Sequence, residues 1–266
     1  MQTLLIQYCE TCFHSFTSNL LTVSDEYSIE AVHNLRLSVK RIRALLKLLD
    51  QESYLIDSKL IKQIDTLYLY SGQLLDIHIQ ILLLELYRDK VGNEVEIVAN
   101  SIGKGKKSIF KRLDKSVQVV DLFDIVLLNH RLDCYVESID SLAHETICRQ
   151  RIDMLHEQIV QQIAENPSEK TLHRIRIMLK ELIYTLSIFK KGKLTTNYTA
   201  ADIKKLNSLQ QTLGSWHDSI VLLNKIRSIA EERGTSYQLS ELVENDVTEI
   251  QKRIIESFIW IVEKVI

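Results

Sequence analysis

Apolar positions recur along this chain at intervals of three and four, the spacing that collects them on one side of a helix. In VHNLRLSVKRIRALLKLL, residues 32–49, Leu35, Val39, Ile42, Leu45, Leu46 and Leu49 share a face, and the charged residues take the other. The same pattern, interrupted by short polar breaks, predicts helices near 2–21, 29–52, 58–91, 94–117, 120–148, 150–165, 168–191, 200–232 and 237–265. Asn166-Pro167-Ser168-Glu169 reads as a start: Asn caps, Pro suits the first helical position, and Glu lies three residues after the cap. Lys190-Lys191-Gly192 reads as a stop, with cations at the negative helix end and a glycine able to turn left-handed beyond it.

Composition narrows the fold class to all-α. The 266 residues include 7 Gly and 1 Pro, too few for sandwiches, barrels or doubly wound sheets, which need turn residues every ten or fifteen positions. At 45% apolar and 26% charged, the chain suits a soluble protein with a real core and not a disordered one. The apolar stretches around 79–84 and 254–266 are broken by polar residues well short of a membrane span. The start MQTLLIQYCETCFH lacks a basic lead-in and a cleavage site, so a cytoplasmic location is expected. Four cysteines in a chain of this length make no disulfide framework, which fits a reducing compartment.

The sequence also repeats itself once. Residues 32–49 align without gaps on LHRIRIMLKELIYTLSIF, residues 172–189, pairing His33 with His173, Arg36 with Arg176 and Lys40 with Lys180. Downstream, Gly72-Gln73-Leu74-Leu75-Asp76 aligns with Gly214-Ser215-Trp216-His217-Asp218. The expected architecture is one domain over 1–266 made of two pseudo-repeated antiparallel helical bundles. One half covers about 1–148 and the other about 149–266.

The charge pattern points to chemistry. The net charge is −2, yet five cations and no acid stand between Leu35 and Leu49, while Glu231 to Glu249 holds six acids and one Arg. On a helical wheel His33, Arg36, Lys40, Arg43 and Lys47 share an arc of roughly 80° opposite the apolar stripe. Like charges stacked at this spacing repel by a few tenths of a kcal/mol per pair, a cost that acids from other helices or an anionic ligand must offset. His173, Arg176, Lys180, Lys190 and Lys191 form a similar arc in the second repeat. A long, flexible, densely charged anion suits two such rows facing a shared groove, because several cations can each engage its oxygens without a closed pocket.

The pattern H-x-x-R-x-x-x-K, present twice and each time followed by G-x-x-x-D, resembles the CHAD family, the conserved histidine α-helical domain. The resemblance covers nearly the whole chain. It implies a helical domain of two similar bundles that binds inorganic polyphosphate in a basic groove, without enzymatic activity or cofactor, and that accompanies polyphosphate granules. It assigns His33, Arg36, Lys40, Arg41 and Arg43 to the first motif and His173, Arg176 and Lys180 to the second. Lys47 and His217 join them as expected ligand contacts, and Asp76 and Asp218 as residues that fix the geometry of the row. Glu181 and Ile183 stand where the second motif often carries basic residues, and Leu75 where an Arg commonly precedes the Asp.

Other motifs compete for function. His217-Asp218 has the form used by metal-dependent HD phosphohydrolases, but the repeated feature is the Asp and not the pair. Cys9 and Cys12 with His14 nearby suggest zinc, yet Cys134 and Cys148 supply no second close pair. Neither motif leads to an expected metal site. Gly103-Lys104-Gly105-Lys106-Lys107-Ser108 shares the composition of a phosphate loop without its spacing. Glu94-Val95-Glu96 is similar to the ExExK signature of a triphosphate-processing domain, but Val98 replaces the Lys. The alternative to polyphosphate binding is a helical protein–protein adaptor whose cations pair with acids. Nucleic acid is disfavoured because the rows lack interleaved aromatics.

Overall fold

A computed structural model describes residues 2–25, 28–49, 58–163, 167–191, 196–233 and 237–264. These residues form ten α-helices and no strand. They are α1 (Gln2–Asp25), α2 (Ile29–Leu48), α3 (Ser58–Glu85), α4 (Arg88–Gly103), α5 (Lys106–Gln118), α6 (Leu122–Ser138), α7 (Ser141–Gln162), α8 (Glu169–Lys191), α9 (Ala200–Arg233) and α10 (Gln238–Glu263).

Three expected boundaries move, the first being that the helix expected over 58–91 stops at Glu85 and α4 begins at Arg88. The helix expected over 94–117 is two, α4 and α5, parted near Gly103 and Gly105, where the low helix propensity of glycine allows a break. The break expected at residue 149 is not there: α7 runs through it, and the chain turns instead at Ile139 and Asp140. Capping explains where helices begin. Ser28, in an extended conformation, accepts from the Ala31 amide at 3.0 Å and so starts α2. At α8 the cap is Ser168, whose hydroxyl accepts from the Thr171 amide at 3.2 Å while its carbonyl takes Leu172. Pro167 therefore precedes the cap. Asn166, Gly192 and the side chains of Lys190 and Lys191 lie outside the described residues.

The chain divides into two compact units, residues 1–75, 109–157 and 180–199 in the first and 76–108, 158–179 and 200–266 in the second. In the first unit α1 packs on both α2 and α6. Leu5, Cys9, Cys12 and Phe16 of α1 are buried, as are Leu35, Val39 and Ile42 of α2 and Leu128, Leu132 and Val136 of α6. The Asn19 amide donates to Ser38 Oγ at 2.8 Å and ties α1 to α2; Gln2 donates to the Glu137 carbonyl at 3.0 Å and ties α1 to the end of α6.

In the second unit α9 packs on α10, and α4 touches both. The Glu94 carboxylate accepts from the amides of Gln238 (3.3 Å) and Leu239 (2.8 Å), so an acid of α4 caps α10. The Tyr87 hydroxyl donates to Asp246 at 2.5 Å. Lys264 meets Asp202 at 2.9 Å and fastens the end of α10 to the start of α9. Glu94 and Glu96 thus sit on a helix, which removes the likeness to a strand signature.

By length and composition alone α3, over Lys59–Glu85, is apolar enough to cross a membrane, a property that core helices share. Its Leu60, Ile64, Leu67, Leu74 and Leu84 are buried in the fold, as in a core helix, while Leu69 and Leu82 are exposed.

Candidate functional site

The cap at Ser28 and the buried apolar face of α2 fix the rotation of that helix. Its other face presents the first row: His33, Arg43 and Lys47 are exposed, and Arg36, Lys40 and Arg41 are half-buried. Arg36, Arg43 and Lys47 are held by neighbours that the sequence did not identify.

Arg36 lies in a niche on α3. Its guanidinium sits 3.9 Å from the Tyr68 ring centroid, and Nη1 donates to the Tyr68 carbonyl. Behind it is Gly72, where a Cβ would stand 2.6 Å from Nη1 and 2.9 Å from Cζ. The glycine of the first G-x-x-x-D therefore leaves room for an arginine. Among the described residues Arg36 meets no carboxylate.

Arg43 approaches the same Tyr68 ring at 4.8 Å and pairs with Asp65 at 2.8 Å, both side chains being well exposed. Arg41 lies in the field of two phenols, Tyr8 of α1 and Tyr184 of α8. Burial pushes both phenols up, and Arg41 draws each back part of the way. Lys47 donates to Glu181 Oε2 at 2.7 Å, and Arg151 of α7 takes the other oxygen through Nε at 2.6 Å and through Nη2. The cations of α2 thus stand beside Tyr68, Tyr184 and Arg151, with Asp65 and Glu181 as counter-ions. No local periodicity announces these partners, since each comes from another helix.

The second repeat is built differently. The rings of His173 and His217 lie 4.8 Å apart at a tilt of 42°. Arg176, Lys180 and Asp218 are half-buried and Asp76 is exposed. Lys40, Asp76, His173, Arg176, Lys180, His217 and Asp218 each interact with neighbouring groups. Gly214 does not repeat the role of Gly72: a Cβ there would meet only Gln210, at 4.0 Å. Identical motif glycines therefore serve unlike packing.

Among the described residues no three of His, Cys, Asp and Glu are placed to share a metal ion. Cys9 and Cys12 are buried on α1, whereas His14 is on its exposed side. Burial pushes the Cys9 thiol up, and moves Cys148 up to about 12. Around Gly103 to Ser108 the chain passes from α4 to α5 with Lys104, Lys106 and Lys107 exposed.

A sequence model of the CHAD domain matches residues 7–227. The fold is similar to the crystal structure of the CHAD domain from the plant Ricinus communis, with a TM-score of 0.69 and 21% identity over 95% of this chain and 86% of that one. No curated protein matches the chain.

Proposed function

The chain belongs to the CHAD domain family, and from that premise we propose that it binds inorganic polyphosphate, or a polyanion of the same character, without chemically altering it. The α2 surface of the first unit is the proposed principal contact: Arg36, Lys40 and Arg41 with Arg43 beside them, and Lys180 of α8. His33 extends the row toward the helix start. His173, Arg176 and His217 form a second basic patch, in the other unit, proposed to contact the same class of anion.

One observation carries the reading. Arg36 is oriented by Tyr68 and given space by Gly72, and among the described residues it has no acidic partner. A guanidinium held by a ring and one carbonyl keeps further N–H donors for a phosphoryl group. An extended polymer can meet such donors in series, and counterion release drives its binding.

The test is a titration with long-chain polyphosphate at two salt concentrations, with ATP and single-stranded DNA as controls. The expected result is affinity for the long chain that falls steeply with salt, and that weakens in Arg36→Ala with Arg176→Ala while helicity is retained. Salt-independent binding, or preference for ATP, overturns it. The adaptor reading is favoured by one feature, the pairing of Arg43 with Asp65 and of Lys47 with Glu181. It predicts a salt slope near zero for polyphosphate and capture of an acidic protein instead. The family relationship suits a cytoplasmic, granule-associated role; fluorescence microscopy of the tagged full chain beside stained polyphosphate tests it.

A further inference from the structure

Glu181 occupies the place in the second repeat that Arg41 holds in the first, so the duplication carries an inversion of charge there. The inverted residue is nearly buried, its side chain 9% exposed, and both of its carboxylate oxygens are taken. Lys47 Nζ lies 2.7 Å from Oε2. Arg151 reaches Oε1 through two nitrogens, Nε at 2.6 Å. Two cations from α2 and α7 thus converge on one internal anion, whose two oxygens present them with much what a phosphoryl group would.

We infer that Glu181 ends the cationic row: it holds Lys47 and Arg151 away from the polymer and so sets how many phosphoryl groups this surface engages. The inference rests on the polyphosphate reading above and adds to it a residue that determines specificity. The physical reason is the cost of the exchange. A polymer that drew Lys47 and Arg151 to itself would leave a desolvated carboxylate without partners, a far worse state than an exposed ion pair broken in water. Arg43 differs in this respect, because its partner Asp65 is 48% exposed and water can replace the arginine. Arg36 and Arg43 can therefore turn to the polymer, and Lys47 cannot.

The experiment is the salt dependence of polyphosphate binding in the full chain. Each cation in contact contributes roughly 0.7–0.9 to the slope of log K against log salt, by analogy with nucleic acids. Glu181→Gln keeps an oxygen for Arg151 and releases Lys47, so the slope is expected to steepen by about 0.8. Lys47→Gln should remove that increment in the Glu181→Gln background and change the slope far less in the native chain. Equal effects of Lys47→Gln in the two backgrounds overturn the inference while leaving polyphosphate binding intact. Absence of salt-dependent binding by the native chain refutes the polyphosphate reading itself and takes the inference with it. Should Glu181→Gln fail to fold by circular dichroism, Lys47→Gln and Arg36→Gln in the native chain decide. Arg36→Gln is expected to flatten the slope by about 0.8 and Lys47→Gln by less than half of that, and equal flattening overturns the inference.

Discussion

At the scale of single residues, Gly72 separates binding from stability. In the middle of a helix, Ala in place of Gly gains about 1 kcal/mol of helix propensity, and the atoms a Cβ would strike belong to the end of a flexible arginine. The guanidinium can swing away, and the backbone need not move. Gly72→Ala is therefore expected to stay within about 1 kcal/mol of native stability in urea denaturation while polyphosphate affinity falls. A loss of folding with affinity intact would show that Arg36 is only structural. Asp133 makes the opposite case, a group that costs stability. Burial, then Glu10 and Glu137, hold its carboxyl above the usual range, with His130 opposing. Its folded pKa exceeds the unfolded one, so the stability tied to the protonated form is full below the unfolded value and is lost as pH rises through the folded one. Asp133→Asn should raise the melting temperature at pH 7, retain an acceptor for Asn129, and show little difference from the native chain near about pH 3.

At the scale of elements, helix ends are set by contacts that the sequence shows unequally. Ser28→Ala removes a local cap visible beside the helix it starts, and Glu94→Ala removes an acceptor that α10 receives from a helix 144 residues away in sequence. Each is expected to cost about 1 kcal/mol in chemical denaturation, and no loss on Glu94→Ala would mean that water replaces it. The difference between the two explains how much of the fold was legible. Helices with one apolar face, such as α2 and α8, follow from periodicity alone. The Asn-Pro-Ser-Glu segment was expected to cap through Asn166, whereas Ser168 acts because its hydroxyl meets the Thr171 amide. With Gly and Pro scarce, the turn at Ile139 and Asp140 had no marker, while the glycines at 103 and 105 lay within an otherwise helical pattern.

At the scale of the whole molecule, a net charge of −2 conceals a local row, and the row was legible because all of its members sit on one helix. Its counter-ions were not. Glu181 stands 134 residues from Lys47 and 30 from Arg151, so only packing brings the three together. The same holds for Tyr68, whose ring is shared by Arg36 and Arg43. If the row binds polyphosphate in the folded state alone, ligand must stabilise the fold by mass action: at a free concentration about 100 times Kd the gain is about 2.7 kcal/mol. For a chain of this size that corresponds to a rise in melting temperature of roughly 5–10 °C. Calorimetry with long-chain polyphosphate at low salt should show the rise, and raising the salt should erase it as binding weakens. Orthophosphate at the same total phosphate should give no comparable shift, because separate anions lack the linkage that makes successive contacts cooperative. An equal shift from orthophosphate would mean that the cations act one at a time and that the spacing of the row carries no information about its ligand.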